Sequence, residues 1–279
     1  MIQIRELEKE YGKHQRALDH ITQDLDSGIV SIIGKNGAGK TTLLRILSTQ
    51  LKSSSGDAYI DGLSINKDIK EIRNKIVSIP QEASPIGILT AYEQVFLYLT
   101  GKGFSFHSAR QESRMALKVV GLGDKMDVPT DELSGGMKRK MFVAMALGCN
   151  AETVFLDEPT TGLDPLSRME TWGAIKELTG NVVLTTHYME EATELSRKIY
   201  MMDSGKFIGS GTAEELLYDL RGKVRIESKE QMPESYRIGN IFVKYVNKSD
   251  LDRYENLYYS IKQISIEDLF IIRGVDLES

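Results

Sequence analysis

The sequence predicts an α/β fold: a mostly parallel sheet wound with helices, an all-helical block inserted into it, and a small C-terminal α/β appendage. Three observations carry this. Five short apolar runs recur between residues 29 and 202, and runs of that length suit strands covered on both faces, as in a parallel sheet. Between them the apolar period lengthens to that of a helix. From about residue 83 to residue 148 the strand pattern stops and only helical patterning remains.

The N-terminus, "MIQIRELEKEYG", is charged and alternating, unlike a signal peptide. The first run, "IVSII", ends before Gly34. After it "TTLLRILSTQL" places Leu43, Leu44, Leu47 and Leu51 on one broad helical face. The second, "KIVSIP", leads to Gln81. Within the helical block Thr90 to Glu93 and Ser108 to Gln111 both fit capping boxes, and Gly121 fits a stop after "MALKVV". "TVFL" leads to Asp157, "NVVLTT" to His187 and "KIYMM" to Asp203. The helix "DPLSRMETWGAIKEL" opens with Asp164 as N-cap and Pro165 at its first position, and Gly180 closes it. After Arg221, "KVRIES", "IFVKYV" and "ISIEDLFII" alternate again. The expected division is therefore a domain at 1–215, with the helical block at about 83–148 inside it, and an appendage at 216–279. Ligands of such sheets bind beyond the carboxyl ends of the strands.

Composition narrows the classes. The 279 residues are 41% hydrophobic, enough for a full core. A net charge of -5 with scattered lysine and arginine argues against a nucleic-acid backbone as main partner. Cys149 is the one cysteine, so no intrachain disulfide forms; it reads as a small buried apolar residue in a reducing compartment. No stretch approaches the ~18 uninterrupted apolar residues of a membrane span. The chain is expected to be soluble, with any membrane part supplied by another chain.

Strand, glycine-rich loop and helix come together at Gly34, Lys35, Asn36, Gly37, Ala38, Gly39, Lys40, Thr41 and Thr42, which satisfies G-x-x-x-x-G-K-S/T. Glycines let the loop turn its N–H groups toward a phosphate, and the helix aims its positive end at the same anion. Lys40 would reach the β- and γ-phosphates of a nucleotide and the Thr41 hydroxyl would ligate Mg²⁺. At the end of "TVFL", Asp157 and Glu158 set two carboxylates where the chain leaves the sheet. One can hold Mg²⁺ through water and the other can take a proton from an attacking water. In isolation such a pair is usually solvated surface, Tyr11 has the alternative of packing a strand edge, and a lone His187 is more often structural, which its position after "VVLTT" reverses.

With "LSGGMKRK" at Leu133 to Lys140, the chain resembles the nucleotide-binding subunits of ATP-binding-cassette (ABC) transporters. The resemblance runs through Tyr11, the P-loop, Gln81, Leu133 to Gly136, Asp157 and Glu158, "GLD" at Gly162 to Asp164, and His187. It implies a P-loop NTPase cassette that hydrolyses ATP with Mg²⁺. Tyr11 would stack on adenine. Gln81 would touch Mg²⁺ and the attacking water, Asp157 would hold Mg²⁺ through water, Glu158 would be the general base, and His187 would contact the γ-phosphate. Ser134, Gly135 and Gly136 would bind the γ-phosphate of a partner subunit, with Asp164 across the same interface. One P-loop and one signature per chain imply a dimer of such subunits, as a homodimer or with a paralogue.

"LSGGM", "EPTTGLDP", "TTHYMEEA" and "SIEDLFI" look like the export branch, whose ATPases drive a separate integral-membrane permease from the cytoplasmic face. The competing class is a soluble ABC ATPase of nucleic-acid maintenance, translation or iron–sulfur assembly. A nucleotide-dependent regulator without turnover is a third; intact Glu158 and His187 argue against it.

Overall fold

A computed structural model describes residues 1–12, 15–254 and 257–273. The chain forms two compact units, Met1–Ile208 and Gly209–Ser279. In the first, β1 (Ile2–Tyr11) and β2 (Gln15–Leu25) are followed by β3 (Ile29–Ile33) and α1 (Lys40–Leu47). Then come β4 (Ser55–Ile60), β5 (Leu63–Ser64), α2 (Ile69–Lys75) and β6 (Ile76–Ile79). The helices α3 (Ala91–Gly101), α4 (Phe106–Val119) and α5 (Gly135–Gly148) separate β6 from β7 (Thr153–Asp157). Next are α6 (Pro165–Lys176), β8 (Asn181–Thr186), α7 (Met189–Leu195) and β9 (Lys198–Asp203), and β10 (Lys206–Gly211) runs past Ile208, the last residue of this unit.

The five apolar runs form five neighbouring strands. They lie in the order β9-β3-β8-β7-β6, all parallel, with β10 at the edge beside β9. Burial on both faces explains the uninterrupted apolar runs. Val154 and Leu156 of β7, with Val182 and Leu184 of β8, join one core with residues of α3 to α6. The alternate residues Phe155 and Val183 join a second core with α1, β1, β2 and β4. Register keeps the carboxyl ends level: Ile33 pairs with Thr186, and Thr185 with Asp157.

The charged N-terminal stretch is the strand β1 of a second, antiparallel sheet ordered β2-β1-β4-β5. Ile2, Ile4 and Leu7 are its buried residues, and the register slips between Ile4 and Leu7. Two helical details differ from expectation. The N-cap of α4 is Ser105, which accepts from the Ser108 N–H at 3.2 Å, so Ser108 lies inside the helix and starts no capping box. Beginning one turn earlier stacks Phe106 on Phe96, with ring centroids 6.0 Å apart. At the other site α6 already ends at Lys176. Gly180 serves close approach instead, because a Cβ there would lie 2.3 Å from the Ala151 carbonyl oxygen. α1 likewise stops before Leu51, where Thr49 turns the chain with φ 60.

Other local expectations hold. Thr90 and Glu93 form a reciprocal capping box, and Asp164 accepts from the Ser167 N–H at 3.1 Å with Pro165 behind it. Gly121, at φ 73, ends α4 in a Schellman motif: its N–H donates to Lys118 O, and that of Leu122 to Leu117 O. Cys149, expected to be buried, is only half-buried, though the burial it has pushes its thiol up to about 11.

The second unit carries α8 (Ala213–Leu216), β11 (Lys223–Ser228), β12 (Tyr236–Ile238), β13 (Ile241–Asn247), β14 (Tyr259–Lys262) and α9 (Glu267–Ile272). Its strands are antiparallel, ordered β12-β13-β11-β14. The end of "ISIEDLFII" is thus helix, not strand. Buried Asp268 on α9 accepts from Arg225 at 2.9 Å and Tyr245 at 2.8 Å, which ties the helix to the sheet.

Phe155 is fully buried in the middle of β7. Phe155→Ala should cost about 3–5 kcal/mol, measured as a fall in the urea midpoint at constant slope. A loss below about 1 kcal/mol would mean that this core is not packed as described.

Candidate nucleotide site

The loop between β3 and α1 is held open by its glycines. Gly37 (φ 79) and Gly39 (φ 102) adopt left-handed backbone, and a Cβ on Gly34 would lie 2.2 Å from the Met202 carbonyl oxygen. Asn36, Gly37, Gly39, Lys40, Thr41 and Thr42 line a cavity of about 510 Å³. Lys35 and Ala38 do not line it; they brace the loop. Lys35 Nζ lies 3.7 Å from Asp203, and the Ala38 carbonyl accepts from Gly205 N–H at 3.0 Å.

The buried Lys40 ammonium donates to the carbonyls of Gly34 (2.7 Å) and Lys35 (3.0 Å), and lies 3.8 Å from Glu158 Oε1. Burial lowers its pKa; Glu158 and Asp157 oppose that shift. Asp157 ends β7. Its Oδ1 accepts from the hydroxyls of Thr41 (3.0 Å) and Thr185 (2.6 Å), while Oδ2 is buried without a hydrogen-bond partner. That orphaned oxygen beside the Thr41 hydroxyl is a hard-oxygen corner that fits Mg²⁺.

Adjacent strand residues point to opposite faces, so Asp157 and Glu158 need a break between them to share a cavity. Glu158 supplies it with φ 47, and its N–H is caught by Thr185, at 3.1 Å from the carbonyl and 3.0 Å from the hydroxyl. Such a left-handed residue costs about 1–2 kcal/mol and persists where surrounding bonds fix it. Glu158 Oε2 accepts from the Thr161 hydroxyl at 2.9 Å and lies 3.0 Å from His187 Nδ1.

Gln81, Glu158 and His187 all line the cavity, and half-exposed Tyr11 stands on it with its hydroxyl 3.5 Å from Thr42 Oγ1. Ser134, Gly135, Gly136 and Asp164 are not part of its lining. Ser134 caps α5, accepting from Met137 N–H at 3.2 Å. A Cβ on Gly136 would lie 2.7 Å from Ser167 Cβ, so the starts of α5 and α6 meet closely. Hydrogen bonds from Ser167 hold the Asp164 carboxyl below the usual range.

Several site residues escape a reading of sequence alone. Thr185 sits in the quoted "NVVLTT", where a hydroxyl in an apolar strand is the available signal, and Thr161 follows the carboxylate pair in "EPTTG". Arg139 of α5 donates to the Gln81 carbonyl. Gln15, Arg16 and Ala17 of β2 also line the cavity. Nothing local in the sequence marks these last four.

The Lys40 ammonium, held in the loop by the Gly34 and Lys35 carbonyls and 3.8 Å from Glu158, is placed to donate to an anion in that loop. Lys40→Ala should weaken binding of a fluorescent ATP analogue by at least about tenfold, a charged hydrogen bond being worth about 1.5–3 kcal/mol. Unchanged affinity in the titration would mean that the ammonium does not reach the phosphates.

Residues 18–161 match the ABC transporter family. The chain is 34% identical over 230 residues to the daunorubicin/doxorubicin resistance ATP-binding protein DrrA of Streptomyces peucetius, covering 80% of this chain and 70% of that protein. It is 34% identical over 218 residues to the phospholipid-transporting ATPase ABCA3 of Mus musculus, a match spanning 76% of this chain but 13% of ABCA3. These relatives group the chain with exporter-type ATP-binding subunits.

Among solved structures, the dimeric ATP-binding cassette MJ0796 in a post-hydrolysis state with ADP and Pi is similar at TM-score 0.68 and 28% identity, covering 76% of this chain and 98% of that one. So is cbiO1 from Clostridium perfringens, part of the transporter complex cbiONQ, at TM-score 0.69 and 27% identity, covering 78% and 90%. The P-loop cradle, the carboxylates at the end of β7 and these matches lead to one conclusion: the chain belongs to the ABC transporter family, as one of its ATP-binding, ATP-hydrolysing cassettes.

Proposed function

We propose that this cassette drives an exporter whose permease is a separate integral-membrane chain, and that it works as a dimer with nucleotide sandwiched between two cassettes. The observation that carries the dimer is the split of the site. The cavity holds the P-loop, Gln81, Glu158 and His187, while Ser134 to Gly136 and Asp164 lie outside its lining. A helix N-terminus such as that of α5 suits an anion, and in a two-chain arrangement it would meet the phosphate of the partner's nucleotide. The exporter assignment is supported by the relatives, a drug-resistance ATP-binding protein and a phospholipid-transporting ATPase. Such a subunit would sit at the cytoplasmic face of the membrane through its permease. Among the described residues no helix is long and apolar enough to cross a membrane. In this proposal residues 1–215 are the cassette, with the helical block at about 83–148 inside it, and 216–279 are an appendage.

The residues divide the work. The loop amides from Asn36 to Thr42 and the Lys40 ammonium bind the β- and γ-phosphates, and Tyr11 stacks on the adenine. Thr41, Asp157 and Gln81 would hold Mg²⁺, which neutralises charge on the phosphate oxygens when bound. Glu158 takes the proton of the attacking water. His187, whose Nδ1 lies 3.0 Å from the Glu158 carboxyl, would contact the γ-phosphate through its other ring nitrogen.

Glu158→Gln removes the base and keeps its volume. Turnover should fall about 10²- to 10⁴-fold with analogue binding intact, and light scattering should show an ATP-stabilised dimer. Retained hydrolysis would remove Glu158 from this role, and a protein that stays monomeric with ATP would count against a homodimer. Ser134→Arg should have a different signature: unaltered nucleotide binding by the single chain, with hydrolysis lost as the shared phosphate is crowded. Full hydrolysis in that variant would refute the shared site.

A further inference from the structure

Glu191 on α7 is fully buried and takes no part in the chemistry above. Its Oε1 accepts two hydrogen bonds, from the Thr160 hydroxyl at 2.7 Å and the Trp172 indole N–H at 2.9 Å. Its Oε2 is buried without a hydrogen-bond partner. A carboxyl group placed in a core and only half satisfied is costly, and an apolar side chain would fill the same space at less cost. What an apolar side chain lacks is direction. A buried polar network fixes one arrangement of the segments that share it.

The three groups come from three segments: Thr160 from the β7–α6 loop, Trp172 from α6, and Glu191 from α7. That loop opens with Glu158 and closes with Asp164. Thr160 is turned inward to Glu191, while its neighbour Thr161 donates to Glu158 Oε2 at 2.9 Å. α7 begins two residues after His187, whose Nδ1 lies 3.0 Å from the same carboxyl oxygen. A second tie joins the same helices: the Arg168 guanidinium of α6 stacks 4.1 Å over the Tyr188 ring, which lies 4.1 Å from the His187 ring.

We propose that Glu191 is a positioning residue for hydrolysis: by anchoring Thr160 and Trp172 on one oxygen, it sets the Glu158–Asp164 loop so that Thr161 and His187 meet the Glu158 carboxyl. This rests on Glu158 being the general base. The anchor acts on the reacting geometry and leaves the ground-state phosphate contacts of the P-loop alone. Its loss therefore lowers kcat and spares nucleotide affinity.

The test uses the full-length chain, steady-state MgATP hydrolysis, titration with a fluorescent ATP analogue, and the emission of Trp172, the one tryptophan in the sequence. Glu191→Leu should lower kcat at least about tenfold while KM and analogue affinity stay within about threefold, and should shift Trp172 emission as the indole loses its acceptor. Thr160→Val should produce the same kcat loss. The double variant should add little to either, as groups acting as one unit do. Glu191→Gln keeps an acceptor oxygen and should recover most of the turnover. A folded Glu191→Leu with unchanged kcat, or losses that simply add in the double variant, would overturn the proposal. So would affinity that falls in step with kcat, which marks a structural role. If Glu191→Leu does not fold, Thr160→Val decides, and unchanged kcat there overturns the proposal equally. Inactive Glu158→Gln beside fully active Glu191→Leu and Thr160→Val discards the positioning role and keeps the base. Retained turnover in Glu158→Gln discards the base.

Discussion

A carboxylate buried at the end of an interior strand must be met by donors, and Asp157 is met from two directions. Thr41 reaches it from the phosphate loop and Thr185 from the neighbouring strand β8. In the sheet, β8 separates β3, which launches the phosphate loop, from β7, which ends in Asp157. Strands lie about 4.8 Å apart, so the two halves of the site stand roughly 10 Å from each other across β8. Thr185 spans part of that gap. One hydroxyl accounts for the Asp157 bond and, with its own carbonyl, for the left-handed step at Glu158. Much of the remaining geometry follows from that step, because it turns two successive carboxylates into one cavity.

The same economy appears around Glu158. One of its oxygens faces the Lys40 ammonium and the other gathers Thr161 and His187. Each partner arrives on a different segment, so the carboxylate is a junction for the P-loop, the β7–α6 loop and the β8–α7 turn. Lys40, in turn, donates to two loop carbonyls, those of Gly34 and Lys35. The buried cation is therefore paired on two sides, by loop carbonyls and by the Glu158 carboxylate.

What the sequence makes legible follows from where each interaction is encoded. The parallel strands β3, β6, β7, β8 and β9 are read off because burial on both faces writes an unbroken apolar run. The antiparallel sheet is harder, since β1 is half-exposed and its register slips between Ile4 and Leu7, which breaks the alternation. The start of α4 is ambiguous because two serines stand three residues apart and both are competent caps. In the site, the phosphate loop and the carboxylate pair are contiguous in sequence and therefore visible. Arg139 on Gln81 and the β2 residues at the cavity are assembled from segments far apart in the chain, and no local pattern marks them.

The parallel sheet separates two hydrophobic cores, with Val154 and Leu156 facing one and Phe155 the other. That partition has an evolutionary consequence. Residues of α3 and α4 share their core with one face of the sheet, whereas α1, which carries the phosphate loop, shares its core with the opposite face. Substitutions within α3 and α4 are repacked on their own side, and pairs far enough apart act independently, whereas α5 is tied to the site through Arg139 and Gln81. On this partition α3 and α4 are free to vary in shape without disturbing the packing of the helix that follows the phosphate loop.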